Sequence, residues 1–261
     1  MIRSLYTAAS GMEVQQMNLD NISNNLANIN TTGFKKVRAE FQDLLYQTIK
    51  SPGADTTNTT ETPNGIQIGL GAKLIATNRV FGQGSLKNTG RSLDMAVMGR
   101  GFFQVTLPNG NTGFTRDGSF TLDQNGQVVT SSGYLLDPNI TVPQEALGIF
   151  VGTDGTVSVD IGDPEPQNVG QIQMATFINP SGLKAMGGNV YTATNASGDA
   201  QVGNPGAQGF GEIQSTFLEI SNVSVAEEMI NMIIGQRAFE ATSRSVRTAD
   251  QVLTEITNLK R

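Results

Sequence analysis

The chain has 261 residues, room for one large domain or two small ones, and its 17 basic and 23 acidic side chains leave a formal charge of −6. That balance excludes a general nucleic-acid binder, which needs a basic surface to neutralise phosphates. The absence of Cys, His and Trp excludes thiolate nucleophiles, imidazole bases, disulfides and Cys or His metal sites, and leaves carboxylate chemistry open.

At the N-terminus, Arg3 is followed by Glu13, Gln15, Gln16, Asn18 and Asp20 before any apolar leader core can form. Secretion by a cleaved signal peptide is therefore not expected. No run of about 18 apolar residues occurs anywhere, so direct membrane insertion is not expected either. Apolar residues instead recur every seven, with Leu5, Met12, Leu19 and Leu26 in one series and Ala8, Ile22 and Ile29 in its partner series, interrupted at Gln15. This period predicts a helix running alongside another helix and ending near Gly33, a residue free to turn left-handed. Asn18, Asn21, Asn25 and Asn28 line a second face with amides, which can be buried against another subunit once hydrogen-bonded.

Residues 34–80 read as a connecting segment. Within it, residues 50–65 carry no aromatic or large aliphatic side chain and are crowded with Thr, Asn, Pro and Gly, the composition of a linker that is mobile in an isolated subunit.

From residue 81 to 220 the texture is that of a β-rich outer domain. Turn signals stand at Asn109-Gly110, Asp117-Gly118, Asn125-Gly126, Asp154-Gly155 and Gly187-Gly188. Between them lie candidate strands at 101–107, 113–115, 119–122, 127–130, 156–161 and 171–178, a pattern that predicts an antiparallel domain. Charge is uneven here: residues 31–120 hold ten bases and six acids, whereas residues 121–220 hold Lys184 alone against ten acids. Such a polarity can orient one subunit against the next over short distances, or form an acidic outer surface.

Motifs for chemistry are weak. Gly69-Leu70-Gly71, Gly82-Gln83-Gly84 and Gly99-Arg100-Gly101 lack the continuation of a phosphate loop. Asp123-Gln124-Asn125-Gly126 places its glycine too early for a calcium loop and has Tyr134 where a bidentate Glu is needed. Asp160, Asp163 and Glu165 cluster around Pro164 and Pro166, which reads as a solvated acidic loop. No cofactor or metal site is expected.

The last forty residues return to a seven-residue period, with Val225, Met232, Phe239, Val246 and Leu253 in one series and Thr242, Ala249 and Ile256 in the other. Ser224 and Glu227 form a capping box at the start. Residues 221–261 carry five acids and five bases, so such helices can pack side by side without accumulating repulsion. Each stripe equally suits the inner face of a globular helix. The expected fold class is α+β: long N- and C-terminal helices (1–33 and 221–261) forming a coiled-coil core domain, with an inserted antiparallel β domain.

Asn28, Asn30, Thr31, Gly33, Phe34 and Lys35 stand in a run that resembles the N-terminal signature of bacterial flagellar rod and hook axial proteins. Ser221, Asn222 and Val223, then Gln236, Arg237, Phe239 and Glu240, resemble the matching C-terminal signature. The segments 81–86, 89–94, 101–103 and 114–120 are similar to the distal-rod branch of that family, and the likeness covers nearly the whole chain.

The resemblance implies a structural subunit, not an enzyme, that forms a homo-oligomeric helical tube with the terminal helices around an export channel and the β domain outside. It implies that residues 50–65 become ordered against neighbouring subunits and that the segment 46–72 makes the rod rigid. It also implies export without a cleaved leader by the flagellar type III apparatus, and contact with proximal rod proteins, the hook protein and its adaptor end, and the P- and L-ring proteins. Other readings are a different rod or hook axial subunit, a secreted β-domain binding module, and a hydrolase resting on Asp160, Asp163 and Glu165.

Overall fold

The computed structural model describes residues 2–52, 55–57, 60–61, 64–162, 165–207 and 209–259. Residues 53, 54, 58, 59, 62 and 63 of the 50–65 stretch, and Asp163 of the acidic cluster, lie outside them. The chain divides into two units, one made of 1–26, 37–78 and 224–261, the other of 27–36 and 79–223.

In the first unit, α1 (Ile2–Ala27) and α2 (Val225–Leu259) run antiparallel. A Cβ placed on Gly11 would lie 3.5 Å from Thr242 Cγ2, one on Gly235 would lie 3.0 Å from Leu19 Cδ2, and Asn25 Nδ2 donates to Glu228 Oε2 at 3.4 Å. The contacting positions on α2, Glu228, Gly235 and Thr242, are seven residues apart. Glu227 and Glu228 in the first turn of α2 complement the positive end of the helix dipole.

The heptad spacing predicts a helix continuing towards Gly33, but α1 stops at Ala27, which leaves Ile29 outside it, half-buried in a turn. The reason is a turn in which Thr31 N–H donates to the Asn28 carbonyl at 3.2 Å and Phe34 N–H donates to the Thr31 carbonyl at 3.3 Å. Gly33 has φ +66°, as its left-handed freedom suggests. It does not cap the helix: it lets the chain cross another segment, since a Cβ there would lie 2.6 Å from the Arg116 carbonyl carbon.

After α1, the strands Val37–Asp43 and Ala72–Arg79 form a two-stranded ladder. Composition assigns no strands to residues 50–65, yet some of its described residues are paired. Tyr46–Lys50 runs antiparallel to Ile66–Gly69, with Tyr46 opposite Gly69 and Gln47 opposite Ile68. Further out, Asp55 stands opposite Glu61 and Thr57 opposite Thr60. At the base, Gly71 adopts φ +116° directly against α1, where a Cβ would overlap Ser10 Oγ.

The second unit is built on a nine-stranded antiparallel sheet. Its central strand, Phe102–Thr106, pairs along one side with Thr112–Thr115. Its other side is shared by Leu135–Asp137 and Met174–Thr176. The strand is buried on both faces, and its alternation sorts the core: Phe103 and Val105 join Met95, Phe120, Leu136 and Met174, while Phe102 joins Phe114, Phe177 and Tyr191. Phe103 packs edge-on against Phe120 with ring centroids 5.2 Å apart, and Phe114 against Phe177 at 4.8 Å.

A separate three-stranded antiparallel sheet holds Gly148–Val151, Thr156–Asp160 and Gln167–Gln171. Five of the six expected strands, from the one at 101–107 to that at 156–161, lie where the turn signals place them. The stretch 171–178 splits instead, Gln171 closing one strand and Met174–Thr176 forming another. The fold is thus α+β, with two terminal helices and a β-rich unit.

Candidate assembly interface

The two terminal signatures meet in the second unit around a buried ionic node. Lys35 Nζ lies 2.6 Å from Glu219 Oε1 and donates to the Gly82 carbonyl at 2.8 Å. Arg116 Nη1 lies 3.4 Å from Glu219 Oε2, and its Nη2 donates to the Gly99 carbonyl at 2.6 Å. The Glu219 carboxylate also accepts from Gly84 N–H at 2.8 Å, and the Glu219 carbonyl from Gly33 N–H at 2.8 Å.

Asn222 completes the crossing: its Oδ1 accepts from Lys36 N–H at 2.8 Å while its Nδ2 donates to the Val80 and Gly82 carbonyls. Lys35 and Glu219 are fully buried and Arg116 nearly so. Burial pushes the Lys35 ammonium below the ordinary lysine value; Glu219 opposes that and Arg116 adds to it. Burial likewise lowers Arg116, again opposed by Glu219.

Two cations face one carboxylate, and every distance is that of a structural clasp joining segments far apart in sequence. Sequence reasoning missed Glu219 and the role of Arg116. The available signal was an acid placed within Phe217–Ile220, immediately before Ser221-Asn222-Val223, a poor place for a solvated charge.

The remaining signature residues divide by location. Asn28 Oδ1 accepts from Thr31 Oγ1 at 3.1 Å, Ser221 Oγ accepts from Val223 N–H at 3.3 Å, Phe34 and Val223 are buried, and Asn30 is exposed. On α2, Gln236, Arg237 and Glu240 are exposed, with Arg237 3.2 Å from Glu240, and Phe239 is half-buried.

Of the expected helix-packing residues, Ile22 is buried, and Leu5, Met12, Leu19, Leu26, Met232, Val246 and Leu253 are half-buried. Val225 and Ile256 are exposed in the single chain, at 46% and 47%. Part of the seam is not apolar at all: Asn25, Glu228 and Gly235 are buried in it. Asn25 Nδ2 donates to the Val37 carbonyl and its Oδ1 accepts from Val37 N–H, both at 2.9 Å. This amide therefore serves its own chain.

The side of α2 away from Glu228 and Gly235 carries Met229, Ile230, Ile233 and Ile234, exposed by 53 to 61%. The hairpin adds exposed Leu45, Tyr46, Ile49 and Ile66. Contiguous exposed apolar residues on regular elements mark interaction surfaces. Elsewhere, Asp123 Oδ1 accepts from Asn125 and Gln127 N–H as a hairpin turn, and Asp160 Oδ1 accepts from Gly162 N–H. Among the described residues no group of acids is arranged to hold a metal ion.

Three family descriptions match in chain order: flagella basal body rod protein over residues 5–35, the flagellar hook protein FlgE/F/G D1 domain over 96–159, and the flagellar basal body rod FlgEFG protein C-terminal region over 214–259. The chain is 48% identical to the flagellar basal-body rod protein FlgG of Borreliella burgdorferi, with all of both chains covered. It is 45% identical to that of Caulobacter vibrioides, covering 99% of this chain and all of the other. Within Bacillus subtilis, identity is 41% to FlgG and 31% to the hook-basal body complex protein FlhP, each over full length. The chain belongs to the flagellar basal-body rod protein FlgG family. Its members are structural proteins, so neither the chain nor its acidic loop is catalytic. Both the first and the last match of the FlgG family end or begin near the ionic node, which ties Lys35 to Glu219.

Proposed function

We propose that the chain is the distal-rod subunit of the flagellum and polymerises into a rigid helical tube that transmits torque and encloses an export channel. The observation that carries this reading is the Met229–Ile234 face of α2. A helix partnered by α1 on one side and apolar on the other is a two-sided element, suited to pack between neighbouring copies. The seven-residue step through Glu228, Gly235 and Thr242 supports a coiled-coil core in the terminal helices. Val225 and Ile256 then find their cover in the assembly.

The 46–69 hairpin, with apolar residues on its exposed strands, suits a stiffening role against adjacent subunits, because an isolated two-stranded ribbon is marginally stable in water. The same reading places proximal rod proteins and the hook or its adaptor at the two ends, the P- and L-ring proteins around the outside, and delivery by the type III export apparatus without a cleaved leader. Terminal helices that gain stability from neighbours suit passage of an unfolded chain.

The test is filament formation by purified protein, followed by electron microscopy and sedimentation, with the variant Ile230→Asp/Ile234→Asp beside it. The parent should form tubes, and the variant should stay monomeric with unchanged helix content and fail to restore motility to a rod-deficient strain. Normal tubes from the variant would remove α2 from the interface.

A further inference from the structure

Resting on the polymeric reading, a contact between outer units can be assigned. A cleft of about 490 Å³ opens in the second unit where the strand Phe102–Thr106 begins and Met174–Thr176 ends. Phe81, Phe102, Phe177 and Phe210 line it, Arg100 and Ile178 stand among the same residues, and Ile178 is 82% exposed. Arg116, which also reaches the cleft, is committed to Glu219 and to backbone carbonyls. Arg100 is exposed. The site is therefore an aromatic hollow with a cation at its mouth.

The complementary shape is on the same unit. Leu147 is 79% exposed at the start of the three-stranded sheet, so it does not fill the cleft of its own chain. Its N–H donates to the Asp160 carbonyl at 2.7 Å, which sets Asp160 across from it, and Glu145 precedes it by two residues. Phe150, on the strand that follows, is 59% exposed. Residues 141–171 contain five acids and no base. An apolar knob flanked by carboxylates complements an apolar hollow with an arginine at its mouth in polarity and in sign of charge.

We propose that in the assembly the cleft is filled by Leu147 of a second copy, with the carboxylates of Glu145 and Asp160 facing Arg100. Knob and cleft are different patches of one surface, so every copy offers both. Such head-to-tail contacts generate rings where the rotation closes and helical filaments where it does not. The charged pairing sets register, and the buried leucine supplies the apolar contact.

The chain has no cysteine, which allows a clean test. The double variant Leu147→Cys/Ile178→Cys is assembled into filaments and treated with a short bismaleimide. A ladder of dimers, trimers and higher species is expected from the double variant, and none from either single variant. Arg100→Glu should lower the cross-linked yield about tenfold, and adding Glu145→Arg to it should restore the yield. Filaments that form normally without a ladder overturn this contact and leave polymerisation standing. If the parent chain forms no filaments, the polymeric reading falls and takes this contact with it. Binding of a small apolar dye in the cleft that persists at full occupancy in assembled filaments would also overturn it, since Leu147 should displace the dye.

Discussion

Replacing Glu219 by Ala strands two buried cations, Lys35 and Arg116, and leaves Gly84 N–H without its acceptor. Breaking a buried ion pair by removing one partner costs roughly 3–5 kcal/mol, and an orphaned buried donor about 1–3 kcal/mol more. A total of about 5 kcal/mol is comparable with the whole stability of an ordinary domain. Lys35→Met should cost less than half as much, because Glu219 keeps Arg116 and Gly84 and the node loses its excess positive charge. Urea unfolding reads the difference; the chain has no Trp, and its four Tyr, including buried Tyr191, report through intrinsic fluorescence. With a slope of about 2 kcal/mol per molar urea, the midpoint for Glu219→Ala should fall by about 2.5 M. If Lys35→Met destabilises as much as Glu219→Ala, the node does not work through charge compensation and the reasoning fails.

Alkaline stability tests the same node from another side. Since Lys35 is held below its ordinary value of 10.5, the unfolded chain binds more protons than the folded one between its folded value and 10.5. Stability from this site therefore rises with pH through that window and is lost as pH falls through the folded value. The unfolding free energy of the parent minus that of Lys35→Met should become more favourable to the parent from pH 7 to 10.5; a flat or falling difference would contradict the assignment. In the other unit, Asn25→Ala removes both partners of the Val37 backbone groups and should lower thermal stability by about 1–3 kcal/mol, seen as earlier loss of helical circular dichroism. Asn25→Asp retains the acceptor for Val37 N–H but sets a second buried carboxylate beside Glu228, so it should destabilise at least as much as Asn25→Ala.

Much of the secondary structure was legible because it is locally encoded. The seven-residue spacing of Leu5, Met12, Leu19 and Leu26 states its own helical period. Asn109-Gly110, Asn125-Gly126 and Asp154-Gly155 supply the positive φ their turns require, with values of 79°, 77° and 80° at the glycines. Three features were hidden for physical reasons. In the 46–69 hairpin the apolar alternation is confined to Ile66-Gln67-Ile68, too short to announce a strand, and both strands are mostly exposed in a single chain. The early half of the α2 seam uses Glu228 and Gly235, invisible to a reading that counts hydrophobic residues. The end of α1 was set by the turn in which Thr31 N–H donates to the Asn28 carbonyl, which the seven-residue period does not announce.

The sequence by itself determined two amphipathic terminal helices, the antiparallel texture between them and membership of an axial structural class, because period, turn chemistry and signature residues are properties of short segments. Tertiary structure decided what those segments are for. Lys35 and Glu219 are 184 positions apart, and no local pattern announces that they neutralise each other in a dry interior. Likewise the exposure of Met229, Ile230, Ile233 and Ile234 emerges only when α1 has taken the opposite side of α2, since a helix has one circumference and a partner covers only part of it.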